Sequence, residues 1–552
     1  MAIDRRARRE ICLALALAAL VRLPFWIEAS RTPLDGDSAI VGLMARHAEW
    51  STTFWGQPYG SPLEAWLAMP LVFLLGSRAL ALHLLYFALG LALVPLAYAL
   101  ARLLDQRAAF PAALLVAVPP AYLLVISALP PPLYPGALLL CGLLLIGALR
   151  LRARLLAGEP ALALAAGWGA LAGLALWTHL MCISAVVPGL VALAPVLRRR
   201  LGGSMVLAVG MLLASAPLLV SQAFGGIFRV VRPAHAGAPW HDHFFGMLSE
   251  LHRPLGVLLG AAVPVLADLR TRIDAPAWVG LCLGLLWAAL VLSGAVAVRH
   301  STAGRVLLGS ALLALFVFLI PARSAAHTIR FLTPLYLPLA ALAGAAIARR
   351  RWARFALALV AALHLAGASQ LHDAWRPAQG RSSPLAVPDL VPVARLLESR
   401  GVFHAYASYD AAYRLTWESG ESIMVSEPWN ERFPGHPLPY FDDVQQASRL
   451  AWILRPADGS ELPSPRAFER ELRRIGARWR RTEVGGAFVY HDFALGTPAP
   501  TAAEPAGPRG GFELSWARSQ PRPAPGTPDR ALRRRAAKSR HTRGAMLEPR
   551  QR

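Results

Sequence analysis

Charge is scarce in this chain: 16% of its 552 residues are Asp, Glu, Lys or Arg, against roughly 25% in soluble domains. With 55% hydrophobic residues and a mean hydropathy of +0.44, that shortage excludes an ordinary soluble globular protein and marks a membrane composition. Lysine is nearly missing, Lys538 being the only one, so the net charge of +23 is an arginine charge. Its placement argues against nucleic acid as a partner, because the Arg blocks sit between apolar runs and in the C-terminal tail. Cysteine is scarce too. Cys12, Cys141, Cys182 and Cys282 fall inside apolar runs with no CxxC spacing, which speaks against a disulfide or metal framework and leaves small buried hydrophobes. No small-residue cleavage site follows Ile11–Ile27, so this run reads as a retained first helix rather than a signal peptide.

What the chain has in quantity is long apolar runs, and a spanning helix needs ~20 such residues. Eleven runs qualify as spans: Ile11–Ile27, Ala79–Ala101, Ala108–Ser127, Leu133–Leu149, Leu162–Trp177, Met181–Leu197, Ser204–Gln222, Ala277–Val298, Val306–Pro321, Phe331–Ala348 and Ala353–Ala368. Leu63–Gly76 and Leu255–Leu269 are short and interrupted, and read as re-entrant or interfacial helices. Alternate connections carry the arginines: Arg5 to Arg9, Arg102/Arg107, Arg150/Arg152/Arg154, Arg198–Arg200, Arg299/Arg305 and Arg349–Arg354. The positive-inside rule then makes the N-terminus cytoplasmic and the loops 28–78 and 223–276 external. The expected architecture is an all-α polytopic membrane protein of about eleven spans over residues 1–370, carrying a C-terminal α/β domain over 371–495 on the external face. In that domain a helix after Pro388, strands at Val402–Tyr406, Ser422–Ser426, Arg449–Leu454 and Val484–His491, and helices at Asp410–Trp417 and from Ser464 alternate as an α/β pattern requires. Residues 496–552, rich in Pro, Ala, Gly and Arg, read as a disordered basic tail.

Asp35 and Asp37 lie where the first span meets water, a place suited to proton abstraction beside the bilayer; either could instead be the N-cap of a helix over Ala39–His47. Glu64 could orient an acceptor hydroxyl, pair with an arginine, or serve as a first-turn carboxylate of its own helix. Arg330, at the external start of a span, and Arg323, one short loop away, could grip a phosphate bidentately or snorkel to the interface. Arg22 sits inside the first span, where it could pair with Asp35 or Asp37, contact a phosphate, or snorkel. Trp177 and His179 cap the external end of the fifth span as part of an aromatic belt, or stack on a sugar. His235, His241, Asp242 and His243 carry ligand chemistry, but HxDH lacks a third ligand at a secure spacing, so no metal is expected.

The stretches Asp37-Ser-Ala39, Gly42-Leu-Met-Ala-Arg-His47 and Gly56-Gln-Pro-Tyr-Gly60 resemble the membrane-embedded GT-C glycosyltransferases that use polyprenyl-phosphate sugars, in the branch of protein mannosyltransferases and lipid A aminoarabinose transferases (family 39-like). Arg330-Phe-Leu-Thr-Pro-Leu-Tyr336 and the segment Tyr406–Glu421 are also similar to that family. The resemblance implies a multi-pass protein of the bacterial inner membrane that transfers a sugar from a polyprenyl-phosphate donor to a hydroxyl of a lipid, glycan or protein acceptor, with inversion and without a cofactor. The many spans also admit a lipid-linked-sugar transporter or flippase, and Ser38 admits a non-catalytic polyprenyl-lipid binder. For the transferase, the resemblance implies Asp37 as general base with Asp35 as fallback, Arg330 with Arg323 on the leaving phosphate, and Tyr59 near sugar or acceptor. Many relatives place a second acid after this one, where this chain has Ser38. That departure weakens the case for a metal. No Gly-rich loop opens a helix after a strand, which disfavours a nucleotide-sugar donor.

Overall fold

Over its described residues, each of the eleven apolar runs is mainly helical. The computed structural model describes residues 5–48, 51–76, 78–131, 133–223, 240–266, 272–319, 329–376, 383–430, 432–433, 435–456 and 462–495. Among these, nine helices are long and apolar enough to cross a membrane, from Arg5–Ser30 at one end of the chain to Arg351–Trp375 at the other. The remaining two runs take other forms. Leu162–Thr178 is a shorter apolar helix, and Gln106–Ala117 with Ala121–Ala128 forms a pair bent by 68°. Leu63–Leu75 is a thirteen-residue helix with Pro70 inside it. The other interrupted stretch holds the short helix His252–Leu258 and the strand Ala262–Pro264, which pairs antiparallel with Arg272–Asp274.

The bend lies at Pro119-Pro120, which cannot donate to the preceding turn, so the last carbonyls of Ala109–Ala117 are left inside apolar surroundings without helical partners. Side chains from three other helices meet them. Tyr336 donates to the Leu115 carbonyl at 2.8 Å, and Arg22 to those of Val116 at 2.9 Å and Ala117 at 3.1 Å. His364 Nδ1 lies 2.8 Å from the Val118 carbonyl. Helices 162–178 and 201–223 lie unusually close; a Cβ at Gly169 would sit 2.1 Å from the Leu207 carbonyl oxygen, so only glycine permits this approach.

Helix Gly36–His47 is apolar on nearly every face, which fits a helix covered on all sides. Its Ile40, Val41, Leu43 and Met44 belong to a core shared with Ala65, Ala68, Leu82, Leu85 and Tyr86 of the bundle and with Tyr413 and Trp417 from the C-terminal part of the chain. A Cβ on Gly42 would lie 2.7 Å from the Trp417 ring.

The α/β region has a five-stranded sheet in the order 424–426, 404–406, 451–454, 487–495, 477–484. His404–Tyr406 runs parallel to Met424–Ser426 and to Ala451–Leu454, with Ala405 opposite both Val425 and Ala451. Ala451–Leu454 is antiparallel to Ala487–Leu495, with Ile453 opposite Val489. Val393 and Leu397 of helix Val391–Ser399, and Leu415 of helix Tyr409–Glu418, join the residues on these strands in one core. Where the sequence suggests one closing strand over 484–491, there are two, Ala477–Val484 and Ala487–Leu495, turning at Gly485-Gly486 with both φ positive. The first of these is an edge strand with many charges, which hides it from a search for apolar alternation.

By compactness the chain divides into one unit of residues 1–462 and 480–492 and a second of 463–479 and 493–552. The described part of the second unit includes helix Pro465–Arg474, capped by Ser464 with Phe468 and Leu472 buried.

Candidate active site

Asp35 and Asp37 divide the two roles the sequence leaves open. Asp35 has extended backbone angles and accepts from the Ser38 amide at 2.8 Å, the geometry of an N-cap. The Ser38 hydroxyl bonds both Asp35 and the Pro130 carbonyl, so Ser38 serves this cap. Asp410 takes the neighbouring Gly36 amide at 2.9 Å. Asp35 stays open to solvent although protein surrounds it on every side, as expected of a group lining a cleft. Desolvation by the surrounding protein, then the charge of Asp37, pushes its carboxyl up to about 6.

Asp37, in the first turn of the helix, caps nothing. Its side chain is 39% exposed, and its Oδ1 accepts a hydrogen bond from the Tyr409 hydroxyl. Arg432 Nη1 stands 3.6 Å from the same oxygen, with its guanidinium 4.6 Å over the Tyr409 ring. Burial, then Asp37, raises the pKa of Tyr409 well above its ordinary value, so Tyr409 is a standing donor. An ion pair as exposed as Asp37–Arg432 contributes little to stability. It can open cheaply.

A second wall is built around Tyr134. Its ring lies 5.5 Å from His179 and 6.2 Å from Phe331, and the Arg330 guanidinium sits 5.3 Å over it. The charges of Arg330, Asp37 and Arg432 and the Tyr59 hydroxyl all act on Tyr134, so the two clusters lie in one neighbourhood. Arg330 is exposed and stacked on two rings, with no carboxylate partner among the described residues. His179 Nδ1 accepts from the Met181 amide at 3.1 Å, which puts its proton on Nε2. Burial and then the charge of Arg330 lower its pKa to about 4, so it is neutral at pH 7. Tyr59 meets Phe433 edge-on at 5.6 Å.

Three residues expected at the site do other work. Glu64 is buried and accepts from Tyr86, from the Leu133 amide at 2.7 Å and from the Gly136 amide at 2.9 Å. It closes the N-terminus of helix Tyr134–Leu156 and so braces Tyr134 from behind. Arg22 neither snorkels nor meets Asp35 or Asp37; it is buried against the carbonyls of the bent pair. Trp177 is buried, donates to the Thr52 carbonyl at 2.8 Å and packs edge-on with Trp66, so its ring is not offered to a sugar. Arg323 and His235 lie outside the described residues. Among the described residues no three His, Cys, Asp or Glu side chains converge on a point that could hold a metal ion.

ArnT from Cupriavidus metallidurans, solved in the apo state, matches with a TM-score of 0.55 at 15% identity, over 88% of this chain and 98% of that one. The same protein bound to undecaprenyl phosphate matches with a TM-score of 0.51 at 15% identity, over 87% and 97%. The chain has a GT-C fold. No protein-family model and no curated protein matches the sequence.

Within this GT-C fold, Tyr134 and Arg432 are the cleft residues that sequence reasoning missed. Tyr134 sits beside Pro135 at the head of a span and reads as an interfacial aromatic. Arg432 is one arginine among 56 basic residues, in an irregular loop with no periodicity to read. Tyr409 lies in the segment that resembles the family, but its helical spacing with Tyr413 and Trp417 reads equally well as core.

Proposed function

We propose that this chain is a multi-pass glycosyltransferase of the bacterial inner membrane, which moves a sugar from a polyprenyl-phosphate donor to an acceptor hydroxyl on the external face. The observation that carries the reading is the side chain of Asp37: half-exposed, free of capping duty, bonded by Tyr409 and faced by Arg432. Undecaprenyl phosphate bound to ArnT, a protein of the same fold, supports the choice of donor.

In this reading Asp37 takes the proton of the acceptor hydroxyl. The acceptor oxygen attacks the anomeric carbon from the face opposite the phosphate, and the carbon–oxygen bond to phosphate breaks with its electron pair leaving on the phosphate. Inversion follows from that single displacement. Arg330, held open on two aromatic rings, and Arg432, released from Asp37 as the donor arrives, neutralise the departing phosphate, where a guanidinium fork stabilises charge best. Tyr409 keeps Asp37 aimed, and neutral His179 with Tyr59 offers a donor and an aromatic surface to sugar or acceptor.

The test is to incubate purified protein with a panel of undecaprenyl-phosphate sugars and follow release of free undecaprenyl phosphate. Wild type should release it from one donor. Asp37→Asn, folded and in the membrane, should be slower by about 10²–10⁴, the ordinary contribution of a general base. Full activity in Asp37→Asn removes the assignment, and no release from any donor by wild type removes the reaction.

A further inference from the structure

A groove of about 400 Å³ opens between helices Ile183–Leu197 and Thr302–Leu319. Its walls are apolar, among them Val187, Val191, Val306 and Leu313, while Arg152 and Arg305 also line it. None of these residues belongs to the Asp37 cleft. Arg152 lies on the helix that begins at Tyr134, eighteen residues further on, which at ~1.5 Å per residue is about 27 Å. That distance is close to the hydrocarbon thickness of a bilayer, roughly 30 Å. The groove is therefore at the membrane face opposite Asp37.

Its chemistry is that of an amphiphile with an anionic head. Val187 and Val191 are exposed on the helix surface, so the apolar wall faces the place where lipid chains run. Arg152 spends one hydrogen bond on the Ala192 carbonyl at 3.0 Å, and the Arg305 guanidinium has no partner among the described residues. Arg150, Arg154 and Arg198–Arg200 lie on the same ends of these helices, and among the described residues Arg154 pairs with Glu159 at 3.6 Å. Basic clusters at this level attract anionic head groups.

We propose that this groove is a binding site for an anionic phospholipid of the leaflet opposite the Asp37 cleft, its phosphate between Arg152 and Arg305 and one acyl chain along Val187, Val191 and Leu313. A soluble anion would not need the apolar wall, and a zwitterionic lipid would not need two arginines.

The test uses the full-length protein in nanodiscs of mixed phosphatidylcholine and phosphatidylglycerol, with native mass spectrometry counting the lipids that stay bound on release. Two variants keep the outcome readable. Arg152→Gln/Arg305→Gln removes the charge. Gly309→Leu fills the groove with both arginines kept, since a Cβ there meets Pro188 only at 3.9 Å. Wild type should retain one phosphatidylglycerol that both variants lose, with occupancy falling at least fivefold and phosphatidylcholine retention unchanged. Equal retention of the two lipids by wild type, or undiminished phosphatidylglycerol in both variants, overturns the proposal. So does displacement of the lipid by millimolar inorganic phosphate, which would make this a site for a soluble anion, or its replacement by an equal mole fraction of undecaprenyl phosphate.

Discussion

An arginine in the middle of a membrane helix must place its guanidinium on something, because a bare charge in hydrocarbon is costly. In this chain Arg22 places it on the backbone of a neighbour. The bend at Pro119-Pro120 leaves carbonyls exposed at the end of Ala109–Ala117, and Arg22 satisfies two of them as well as the Ala18 carbonyl of its own helix. Arg22→Met keeps the volume and deletes the donors, leaving two buried carbonyls unpaired at about 1–3 kcal/mol each. The expected result is a thermal midpoint in detergent well below wild type, together with loss of any activity through unfolding rather than through a changed KM. A variant as stable as wild type would mean that water or lipid head groups can replace Arg22. Glu64 follows the same logic with the sign reversed: the head of helix Tyr134–Leu156 leaves amides that need an acceptor, and Glu64 supplies both oxygens. The sequence marks both residues as charges in apolar company, which is legible. Which backbone groups they serve is not, because those lie on other helices and become orphaned only through the bend and the helix start that the fold creates.

At the scale of elements, the Asp37 helix is held at both ends by the α/β region. Asp410 takes the Gly36 amide at its head. At its tail Glu421 gathers Arg46 at 2.8 Å, Tyr440 at 2.8 Å and His47 at 2.5 Å, while Arg46 lies 4.7 Å over the Trp417 ring. Burial alone would raise the Glu421 pKa, but the hydrogen bonds from His47, Arg46 and Tyr440 outweigh it and hold the group down to about 2. A carboxylate whose folded pKa lies below its unfolded value stabilises the fold in full above the unfolded value, about 4.5, and loses that contribution as pH falls toward 2. Glu421→Gln should therefore melt below wild type at pH 7 by an amount corresponding to about 2 kcal/mol. The gap should shrink steadily below pH 4.5. A gap that is constant down to pH 3 would show that packing, not charge, holds this end of the helix. The helix itself is legible in Asp35–His47, from its N-cap signal and its apolar content. Its partner is not, because Tyr409, Trp417 and Glu421 are brought to it by tertiary structure, and their own spacing describes only a helix with a buried face.

For the whole molecule, periodicity and length give the bundle, because a run of about twenty apolar residues has few alternatives to helix. Alternating strands and helices give the α/β region, apart from the charged edge strand Ala477–Val484. The cleft is different in kind: Asp37, Tyr59, Tyr134, His179, Arg330, Tyr409 and Arg432 come from widely separated segments of the chain, and no local pattern joins them. The arginine blocks give an expected orientation in the membrane, and in the proposed reaction that orientation decides which side supplies the acceptor. Helix Tyr134–Leu156 tests it directly, since its head carries the cleft wall and its tail carries Arg150, Arg152 and Arg154. In a background with Cys12, Cys141, Cys182 and Cys282 replaced, single cysteines at Thr52, exposed in the loop whose carbonyl Trp177 holds, and at Ala157, exposed just past the helix, report the two faces. A membrane-impermeant maleimide should label Thr52→Cys in intact spheroplasts and Ala157→Cys only after permeabilisation. The reverse pattern would put Asp37 on the cytoplasmic face and replace an envelope acceptor by a cytoplasmic one. Labelling of both in intact cells would mean that this helix does not cross the membrane, and the arginine pattern would lose its reading as topology.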